Sequence, residues 1–548
     1  MGDQLAEAGV GAFRWSPSGD RIAYLMTEPD TEEEKARRRE KRDIIYVDQD
    51  FDYAHLYVAP FDPDADGPVE AARVTEGDFH VTSFDWSPDG ARFVVAHQPD
   101  PRLDTGSETA DLATVPATGG DLGPLVTMGG VEGSPRWSPD GRWIAFVGEG
   151  ASPEPVGLGD LYLVPAEGGQ PRRLAETPDR SPNLLGWSGD GRTLYAVESL
   201  GVDRHVLAVP ADGGAPRQVT TGEGVVGSPS LDGDASHLAF TWEDPETPWD
   251  VYLSPVAGGA RTRLTRLHDD VDAPPMGRTE KLTWRSPDGR FDIDGLLTYP
   301  VGYREGQRVP LILSVHGGPA GVYNRSFTGA PGIYMIQYFA DQGWAVLRPN
   351  PRGSTGYGRD FRYANVRDWG FGDMDDLMAG VDRVVEMGVA HPDSLLLMGW
   401  SYGGYMTSFA VTRTDRFRAA SMGAGLPNLV SMVTTTDIGN YLAGHMDAEF
   451  WDDYDVYERH SAIYRIAEVE TPTQVIHGAQ DLRVPFTQGQ EFYRALQRRG
   501  VPTEMIVLPR TPHGPREPKL MMAVSPAIQA WFARWLKADR DRMATDGM

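Results

Sequence analysis

The chain has 548 residues, of which 40% are hydrophobic and 24% charged, a composition typical of a folded globular protein. Its formal net charge is −28, and a chain this acidic repels nucleic acid and anionic membrane surfaces, so we expect neither as a partner. The length exceeds what one hydrophobic core supports, which predicts two or three domains.

The sequence contains no cysteine. This excludes disulfides, thiolate catalysis and Cys-ligated metals, and it favours a cytoplasmic location. Residues 1–7 carry neither a basic flank nor an apolar core, so we expect no signal peptide. No apolar run approaches the length of about 20 residues that crosses a bilayer. The sequence has no metal or cofactor motif, and we expect the protein to use neither.

A repeated motif organises the first half of the chain. It reads Trp-Ser-Pro-Asp-Gly or a close variant, precedes a short alternating apolar run, and occurs at residues 15–19, 86–90, 137–141 and 187–191, with a fainter copy at 230–233. From residue 86 the copies are about 50 residues apart, the period of a four-stranded propeller blade. We predict an all-β propeller over residues 1–275 with five recognisable blades. Five copies fit a five- or six-bladed propeller, or a larger one whose first blade is absent. The chain opens almost directly on a repeat, and this favours a shortened N-terminus.

One insertion interrupts the repeats at residues 31–42. Thr31 and Glu34 have the spacing of a capping box, and Glu33 and Arg37 have opposite charges at i,i+4 positions. This pattern predicts a solvated helix that projects from a blade. The alternative is a flap that faces the substrate.

The periodicity changes near Asp272. Apolar strands then alternate with helical stretches, which predicts a doubly wound, mostly parallel sheet covered by helices on both faces. We place a further copy of the repeat, residues 284–289, at the start of this second domain. The predicted strands cover residues 295–300, 309–315, 344–348, 394–398, 473–476 and 505–508, and the predicted helices cover 375–385, 405–411 and 521–536.

The segment Gly399-Trp400-Ser401-Tyr402-Gly403 separates a predicted strand from a predicted helix. A serine in this G-x-S-x-G arrangement lies on a sharp, strained turn above the sheet, which is the nucleophile elbow of α/β hydrolases. Gly399 and Gly403 lack a Cβ, so the strand and the helix can approach closely around the turn. We therefore predict that residues 276–548 form an α/β-hydrolase catalytic domain in which Ser401 is the nucleophile.

A serine hydroxyl needs a base that takes its proton, and imidazole suits neutral pH best. In this fold the acid follows the serine and the histidine follows the acid. His513 lies in a loop just after the last predicted strand, so we assign it as the base. Asp481 follows the preceding strand, so we assign it as the acid that fixes the imidazole tautomer. The alternative for Asp481 is a turn residue that caps the next helix.

Three other histidines follow Ser401. His477 lies at a strand end, too early in the chain to follow the acid. His445 and His460 lie in an irregular, acidic segment, and we expect them to be surface or lid residues.

The oxyanion of an acyl-transfer transition state needs preorganised donors. The first is the backbone N–H of Tyr402, directly after the nucleophile. The second is expected in the loop after an early strand, here His316-Gly317-Gly318-Pro319. We assign it to Gly318 and interpret His316 as a structural member of this loop.

These residues together resemble the prolyl oligopeptidase family of serine peptidases, and the resemblance covers essentially the whole chain. The motifs that carry it are residues 316–319, 350–358, 399–405, 477–478 with Asp481 and residues 484–485, and 512–514. The resemblance implies the triad Ser401, Asp481 and His513, acyl transfer to the serine, and short peptides as substrates, since the propeller excludes folded proteins. Oligomers are common in the family, so a homo-oligomer stays open.

Within this family the chain is similar to the acylaminoacyl peptidases, whose early loop is also His-Gly-Gly-Pro. The prolyl oligopeptidase and dipeptidyl peptidase branches have a Tyr in place of His316, which argues against strict cleavage after proline. The resemblance implies release of N-acylated amino acids or cutting of small oligopeptides. Tyr402, Tyr441 and Val484 are candidates for lining the specificity pocket.

Three alternatives remain open at this stage. The chain could be a dipeptidyl aminopeptidase that acts on free N-termini, although the propeller carries no convincing pair of glutamates to grip an amine. It could be an esterase, because the same triad cleaves esters. It could also be a propeller scaffold whose hydrolase domain is vestigial, against which the intact triad and oxyanion loop argue.

Overall fold

A computed structural model describes residues 9–64, 67 and 69–546. Residues 1–7, in which we expected no signal peptide, lie outside this description. The chain forms two compact units. The first consists of Met1–Glu198, Val206–Val219 and Leu231–Leu238, and the second consists of Ser199–His205, Thr220–Ser230 and Ala239–Met548. Among the described residues, no helix combines the length and apolar character that a membrane crossing requires.

The N-terminal part is rich in short antiparallel strands that follow one another in sets of four. The first three sets are β1 (Val10–Trp15), β2 (Arg21–Thr27), β3 (Ala54–Pro60) and β4 (Ala72–Arg73); β5 (His80–Trp86), β6 (Arg92–Gln98), β7 (Asp111–Pro116) and β8 (Gly123–Val126); and β9 (Glu132–Trp137), β10 (Trp143–Gly148), β11 (Asp160–Pro165) and β12 (Arg172–Arg173). This arrangement is the propeller-like domain that the repeats predict.

The same succession of strands continues beyond β12. These strands are β13 (Asn183–Trp187), β14 (Thr193–Leu200), β15 (Asp203–Pro210), β16 (Arg217–Gln218), β17 (Val225–Leu231), β18 (His237–Glu243), β19 (Asp250–Pro255) and β20 (Thr262–Arg263). The division between the two compact units falls within this stretch of the chain.

The repeated motif makes the tight turn after the first strand of a set. Its final glycine has a positive φ, between 67° and 73°, at Gly19, Gly90, Gly141 and Gly191, where a Cβ would be strained. In the second copy Ser87 Oγ donates a hydrogen bond to the Asp89 carboxylate at 2.6 Å. The third and fourth copies repeat this contact. The predicted turn geometry is thus confirmed, and the motif is a self-contained turn.

The insertion between β2 and β3 contains helix α1 (Glu32–Arg39). Thr31 caps it: the Glu34 N–H donates to Thr31 Oγ1 at 3.2 Å, and the Thr31 N–H donates to the Glu34 carboxylate at 2.6 Å. None of its residues is buried. The predicted capping box and solvated helix are confirmed. A short helix, α2 (Leu103–Gly106), precedes β7.

The C-terminal part contains an eight-stranded sheet in the order β21-β22-β24-β23-β25-β26-β27-β28. The strands are β21 (Thr279–Arg285), β22 (Asp292–Thr298), β23 (Val309–Val315), β24 (Ala345–Asn350), β25 (Ala390–Trp400), β26 (Phe417–Gly423), β27 (Thr473–Gly478) and β28 (Thr503–Leu508). β21 and β22 pair antiparallel, β22 pairs antiparallel with β24, and the other pairings are parallel. The predicted mostly parallel sheet is confirmed. The strand predicted at residues 295–300 begins earlier, at Asp292, and ends at Thr298.

Helices cover the sheet on both faces. They are α3 (Ile336–Asp341), α4 (Arg359–Tyr363), α5 (Gly372–Glu386), α6 (Tyr402–Val411), α7 (Leu429–Val433), α8 (Gly439–Met446), α9 (Tyr454–His460), α10 (Phe486–Arg499) and α11 (Pro518–Asp546), with a 3-10 helix at Ala462–Glu468. Alternate residues of one strand enter different cores: Leu395 and Leu397 pack with α5 and α6, whereas Leu396 and Met398 pack with α3 and α11. Residues 395–398 of β25 are therefore all apolar, because this strand is buried on both faces.

Candidate active site

The elbow predicted around Ser401 lies between the end of β25 and the start of α6. Ser401 has φ 61° and ψ −120°, a backbone conformation that is strained for a residue with a side chain. A Cβ on Gly399 would collide with the backbone of Gly403, and a Cβ on Gly403 would collide with the carbonyl of Val315. The two glycines are therefore required by the close approach of helix and sheet, and the strained serine is raised above the strand ends.

Ser401, His513 and Asp481 form one hydrogen-bonded chain. His513 Nε2 lies 2.9 Å from Ser401 Oγ, and His513 Nδ1 lies 2.9 Å from Asp481 Oδ2. With Nδ1 protonated, the imidazole donates to the carboxylate and leaves Nε2 free to accept the serine hydroxyl. The structure thus brings together three side chains that come from the ends of three different elements.

Asp481 is held rigidly beneath the histidine. Its residue is only 4% exposed, and its Oδ1 accepts a hydrogen bond from the Val484 N–H at 2.9 Å. His477 Nε2 lies 2.8 Å from the Val484 carbonyl oxygen, and burial lowers the pKa of His477. We predicted that Val484 lines the substrate pocket. Its side chain lies in the core at 2% exposure, and its backbone N–H supports the carboxylate of Asp481.

His513 keeps one edge open to solvent. Its side chain is 29% exposed, whereas the side chain of Asp481 is fully buried. The indole Nε1 of Trp400 donates to the His513 carbonyl oxygen at 2.7 Å and anchors the loop that carries the histidine. The imidazole is therefore fixed in position but accessible to a substrate.

The two predicted oxyanion donors lie in segments that adjoin Ser401. The N–H of Tyr402 is the first of helix α6, and such an N–H has no acceptor within its own helix. Gly318 follows β23 and has φ 130°, a conformation that L side chains rarely adopt. A Cβ built on the neighbouring Gly317 would lie 3.4 Å from Ser401 Cβ. The loop therefore lies directly against the serine.

His316 fills the base of this loop. It is 6% exposed, its Nε2 lies 2.9 Å from Ser354 Oγ, and burial lowers its pKa to about 4. The imidazole is therefore neutral at neutral pH. These contacts fit the structural role that we predicted for His316.

Of the two remaining candidates for the substrate pocket, Tyr402 has its side chain in the core at 2% exposure, and Tyr441 lies in α8 against the same loop. Burial raises its pKa to about 12, and its hydroxyl is hydrogen-bonded to the backbone of Ala320. Its ring packs at a tilt against His445, with the ring centroids 4.4 Å apart. Tyr441 is therefore a rigid neighbour of the predicted oxyanion loop.

The expectation that His445 and His460 are surface or lid residues is wrong. They are 1% and 0% exposed. Nδ1 of His445 lies 2.9 Å from the Tyr441 carbonyl oxygen, and Nε2 of His460 lies 3.0 Å from the Arg367 carbonyl oxygen. Although their segment is acidic, one face of each short helix is buried. On that face the imidazoles form hydrogen bonds with backbone carbonyl oxygens.

Sequence reasoning missed two polar residues behind the nucleophile. Asp373, in the first turn of α5, accepts hydrogen bonds from the Tyr402 hydroxyl and, at 2.9 Å, from the Asn365 side chain. Both Asp373 and Asn365 are 0% exposed. Asp373 lies on the buried side of an amphipathic helix, and this break in the pattern is the signal that would have singled it out.

Among the described residues, no cluster of three or more His, Cys, Asp or Glu side chains could hold a metal ion. The candidate site comprises the hydrogen-bonded Ser401–His513–Asp481 chain, the strained elbow and the loop that carries Gly318.

Comparisons with known proteins agree with this arrangement. Residues 333–539 match the model of the prolyl oligopeptidase family. The chain is 27% identical to the uncharacterized peptidase YuxL of Bacillus subtilis, over 95% of this chain and 90% of that one. It is 24% identical to dipeptidyl-peptidase 5 of Porphyromonas gingivalis, over 96% of this chain and 80% of that one.

A solved structure shows the same fold. The acylaminoacyl peptidase of Pyrococcus horikoshii superposes with a TM-score of 0.79 and 21% identity, over 97% of this chain and 82% of that one. Residues 333–539 therefore form a peptidase domain of the prolyl oligopeptidase family, and the chain is a serine peptidase.

Proposed function

We propose that this peptidase hydrolyses short peptides through an acyl-enzyme on Ser401, with His513 as general base and Asp481 as the acid that orients it. The observation that carries the proposal is the unbroken hydrogen-bond path from Ser401 Oγ through His513 to Asp481, with 2.9 Å at each step. Such a path lets the imidazole accept the serine proton as the hydroxyl attacks a carbonyl carbon.

In the first step His513 Nε2 takes the proton of Ser401, and Oγ bonds to the substrate carbonyl carbon. The carbonyl oxygen becomes an oxyanion, which accepts hydrogen bonds from the backbone N–H groups of Tyr402 and Gly318. Because these donors are fixed by a helix start and by a glycine loop, they need no reorganisation when the charge forms. The buried carboxylate of Asp481 stabilises the imidazolium meanwhile.

In the second step His513 returns the proton to the leaving amine, the C–N bond breaks, and the acyl group stays on Ser401 Oγ. Water then attacks the ester with His513 again as the base, which releases the acid and restores the serine. In this proposal Tyr441 borders the bound substrate through its contact with the oxyanion loop. Val484 borders it through the backbone of the loop that carries Asp481.

For the substrate we favour peptides with a blocked amino end, from which the enzyme releases an N-acylated amino acid, or small oligopeptides. The His316-Gly317-Gly318-Pro319 loop and the similarity to the Pyrococcus acylaminoacyl peptidase support this choice. The second candidate is a dipeptidyl aminopeptidase, because several relatives, that of Porphyromonas gingivalis among them, carry the name dipeptidyl-peptidase 5.

The test compares an N-acetylated amino-acid p-nitroanilide with a free-amine dipeptide p-nitroanilide. The Ser401→Ala variant serves as the blank. Faster hydrolysis of the blocked substrate, abolished by the substitution, supports the acylaminoacyl specificity. Preference for the free dipeptide would instead support the dipeptidyl aminopeptidase.

Two further measurements address the alternatives. Brisk turnover of p-nitrophenyl esters without turnover of amides would favour an esterase, and failure of a fluorophosphonate to label Ser401 would favour a non-catalytic scaffold.

We also propose a propeller over residues 1–275, a catalytic domain over residues 276–548 and a cytoplasmic location. Size-exclusion chromatography would test for a homo-oligomer.

A further inference from the structure

A cavity of about 560 Å³ opens beside His513. The loop after β27 and the loop that carries His513 form its walls, with Leu482, Arg483, Pro512 and Arg516 among the lining residues. Leu482 is 73% exposed, although a large apolar side chain usually avoids water. The cavity therefore combines an apolar wall with two guanidinium groups and one edge of the imidazole.

One of the two guanidinium groups is neutralised and the other is not. Arg483 makes two hydrogen bonds to the Asp437 carboxylate, at 2.6 and 3.4 Å. Glu517 is next to Arg516 in the chain, but it forms an ion pair with Arg510 at 2.9 Å. Among the described residues, Arg516 has no carboxylate within ion-pair distance. The cavity thus offers one unpaired positive charge in a chain whose net charge is −28.

The chemistry of the proposed reaction decides which part of a substrate lies here. His513 Nε2 must hand its proton to the departing nitrogen, so the leaving group lies on the histidine side of the scissile bond. The acyl group lies on the other side, against Ser401 and the oxyanion donors. A cavity lined by His513 and the loop that follows it is therefore placed for the leaving group.

We propose that this cavity binds the leaving group of the substrate and that Arg516 binds its free carboxylate. The inference rests on the proposed acyl transfer to Ser401 and adds the class of leaving group: an amino acid or very short peptide with a free C-terminus. Leu482 and the two prolines of the His513 loop contact the side chain of the leaving residue. Arg516 makes charge-assisted hydrogen bonds to the carboxylate.

The step balances in protons and electrons. The C–N bond breaks, its electron pair goes to the nitrogen, and the proton comes from His513 Nε2. The acyl carbon stays bound to Ser401 Oγ, and the amino acid leaves as a neutral amine with its carboxylate on Arg516. No reagent other than the substrate and, for deacylation, water is required.

The experiment keeps the acyl part constant and changes the leaving group. The substrates are an N-acetylated dipeptide with a free C-terminus, the same dipeptide as its C-terminal amide, and the p-nitroanilide of the same acyl residue. We expect kcat/KM of the wild type to be higher for the free acid than for the amide by about tenfold or more, the usual size of a charge-assisted contact. Arg516→Gln brings this ratio close to one, and Arg516→Glu inverts it.

Arg510→Gln is the matched control. It removes one positive charge from the same region, but Arg510 pairs with Glu517 and is not among the residues that line the cavity. The free-acid preference should therefore persist in this variant. An equal loss of preference in both variants would point to long-range charge rather than to a carboxylate site.

The outcomes separate this inference from the proposed function. If the wild type cleaves the p-nitroanilide but treats acid and amide equally, the carboxylate site is refuted while the peptidase mechanism stands. If none of the three substrates is cleaved, the proposed function itself fails. A free-acid preference that Arg516→Glu leaves intact would also overturn the role of Arg516.

Discussion

The hydroxyl of Tyr402 donates a hydrogen bond to the carboxylate of Asp373, and the two residues are 2% and 0% exposed. The ring of Trp369 packs edge-on against Tyr402, with the ring centroids 4.8 Å apart. Tyr402 therefore has its side chain fixed in the core, and its backbone N–H, the first of helix α6, is the one that we propose as an oxyanion donor. The buried hydrogen bond between Tyr402 and Asp373 thus fixes the position of the proposed donor, the backbone N–H of Tyr402.

The first prediction concerns this hydroxyl. Tyr402→Phe keeps the ring but leaves Asp373 with one hydrogen bond fewer, so the start of α6 loosens. We expect kcat to fall about tenfold with little change in KM, less than the loss of a whole oxyanion donor. The free energy of unfolding should fall by about 1–3 kcal/mol. Steady-state kinetics on one p-nitroanilide and urea unfolding measure the two effects.

Tyr405→Phe is the matched control for this prediction. Tyr405 lies in the same helix, is 0% exposed, and donates to the carbonyl oxygens of Trp369 and His460. Its own N–H donates to the Ser401 carbonyl oxygen and cannot face an oxyanion. This variant should lose stability but keep kcat, and equal losses of kcat in both variants would show that Tyr402 has no positioning role.

The second prediction concerns pH. Burial raises the pKa of Asp373 to about 7, whereas an unfolded Asp titrates near about 4. Between these values the folded protein holds a proton that the unfolded chain has lost, so this group makes the free energy of unfolding fall as the pH rises. The stability that the protonated Asp373 contributes at low pH is lost progressively from about pH 4 to about pH 7, and it amounts to about 4 kcal/mol of unfolding free energy at most.

Asp373→Asn isolates this contribution, because Asn has a similar volume and still offers an oxygen to Tyr402. We expect the stability of the variant relative to the wild type to increase between about pH 4 and about pH 7 and to level off above that range. Urea unfolding of both proteins across this range gives the difference at each pH. A difference that does not depend on pH would mean that Asp373 is already ionised throughout.

The third prediction concerns the elbow. A Cβ at Gly403 would collide with the carbonyl oxygen of Val315, so Gly403→Ala must displace helix α6 from β23. We expect kcat/KM to fall about 100-fold or more, because a displacement of about 1 Å suffices for that. Fluorophosphonate labelling of Ser401 measures the loss of reactivity at the site, and the melting temperature measures the loss of stability.

Gly332→Ala serves as the comparison. A Cβ at Gly332 would meet only the Tyr334 carbonyl oxygen, at the ordinary distance of 3.9 Å. This substitution should leave labelling and melting nearly unchanged. If Gly403→Ala behaves in the same way, close packing is not the reason for the glycine.

The fourth prediction concerns a buried ion pair in the Asn350-to-Gly358 segment. Arg352 contacts the Asp376 carboxylate with Nε and Nη2, at 2.8 Å each, and the side chains are 5% and 0% exposed. Asp376→Ala leaves the buried guanidinium with only the partly exposed carboxylate of Asp288, 2.8 Å from its Nη1, so the substitution should cost about 3 kcal/mol of unfolding free energy. Denaturant unfolding measures this loss.

An exposed ion pair provides the contrast. Arg416 and Asp382 lie 2.6 Å apart, but their side chains are 35% and 55% exposed, and solvent screens such pairs to about 1 kcal/mol or less. Asp382→Ala should therefore barely change stability. Similar losses at both sites would show that burial does not set the strength of the Arg352 pair.

Much of the fold followed from local patterns. Alternating or continuous apolar runs predicted the parallel strands, because a strand buried on both faces is apolar at every position. The Trp-Ser-Pro-Asp-Gly turns and the capping box of α1 also depend on residues within five positions of one another. Such features need no knowledge of the rest of the chain, so the sequence predicted them well.

The order of residues also predicted the candidate site. The G-x-S-x-G elbow identified Ser401, and the positions after two late strands identified Asp481 and His513, because the carboxyl ends of parallel strands meet at one edge of the sheet. By contrast, the expectation for His445 and His460 failed, since the acidic segment around them says nothing about which helix face is buried.

Local patterns in the sequence were thus enough to predict most strands and helices and the turn chemistry, and to single out Ser401 as the candidate nucleophile. The contact between Asp373 and Tyr402, 29 residues apart in the chain, became visible only in the folded structure. The same holds for Arg516, which has no ion-pair partner among the residues that the structure describes, whereas Arg483 and Arg510 are paired. The physical reason is that burial and charge pairing depend on contacts between distant segments, whereas strand, helix and turn patterns are set by neighbours in the chain.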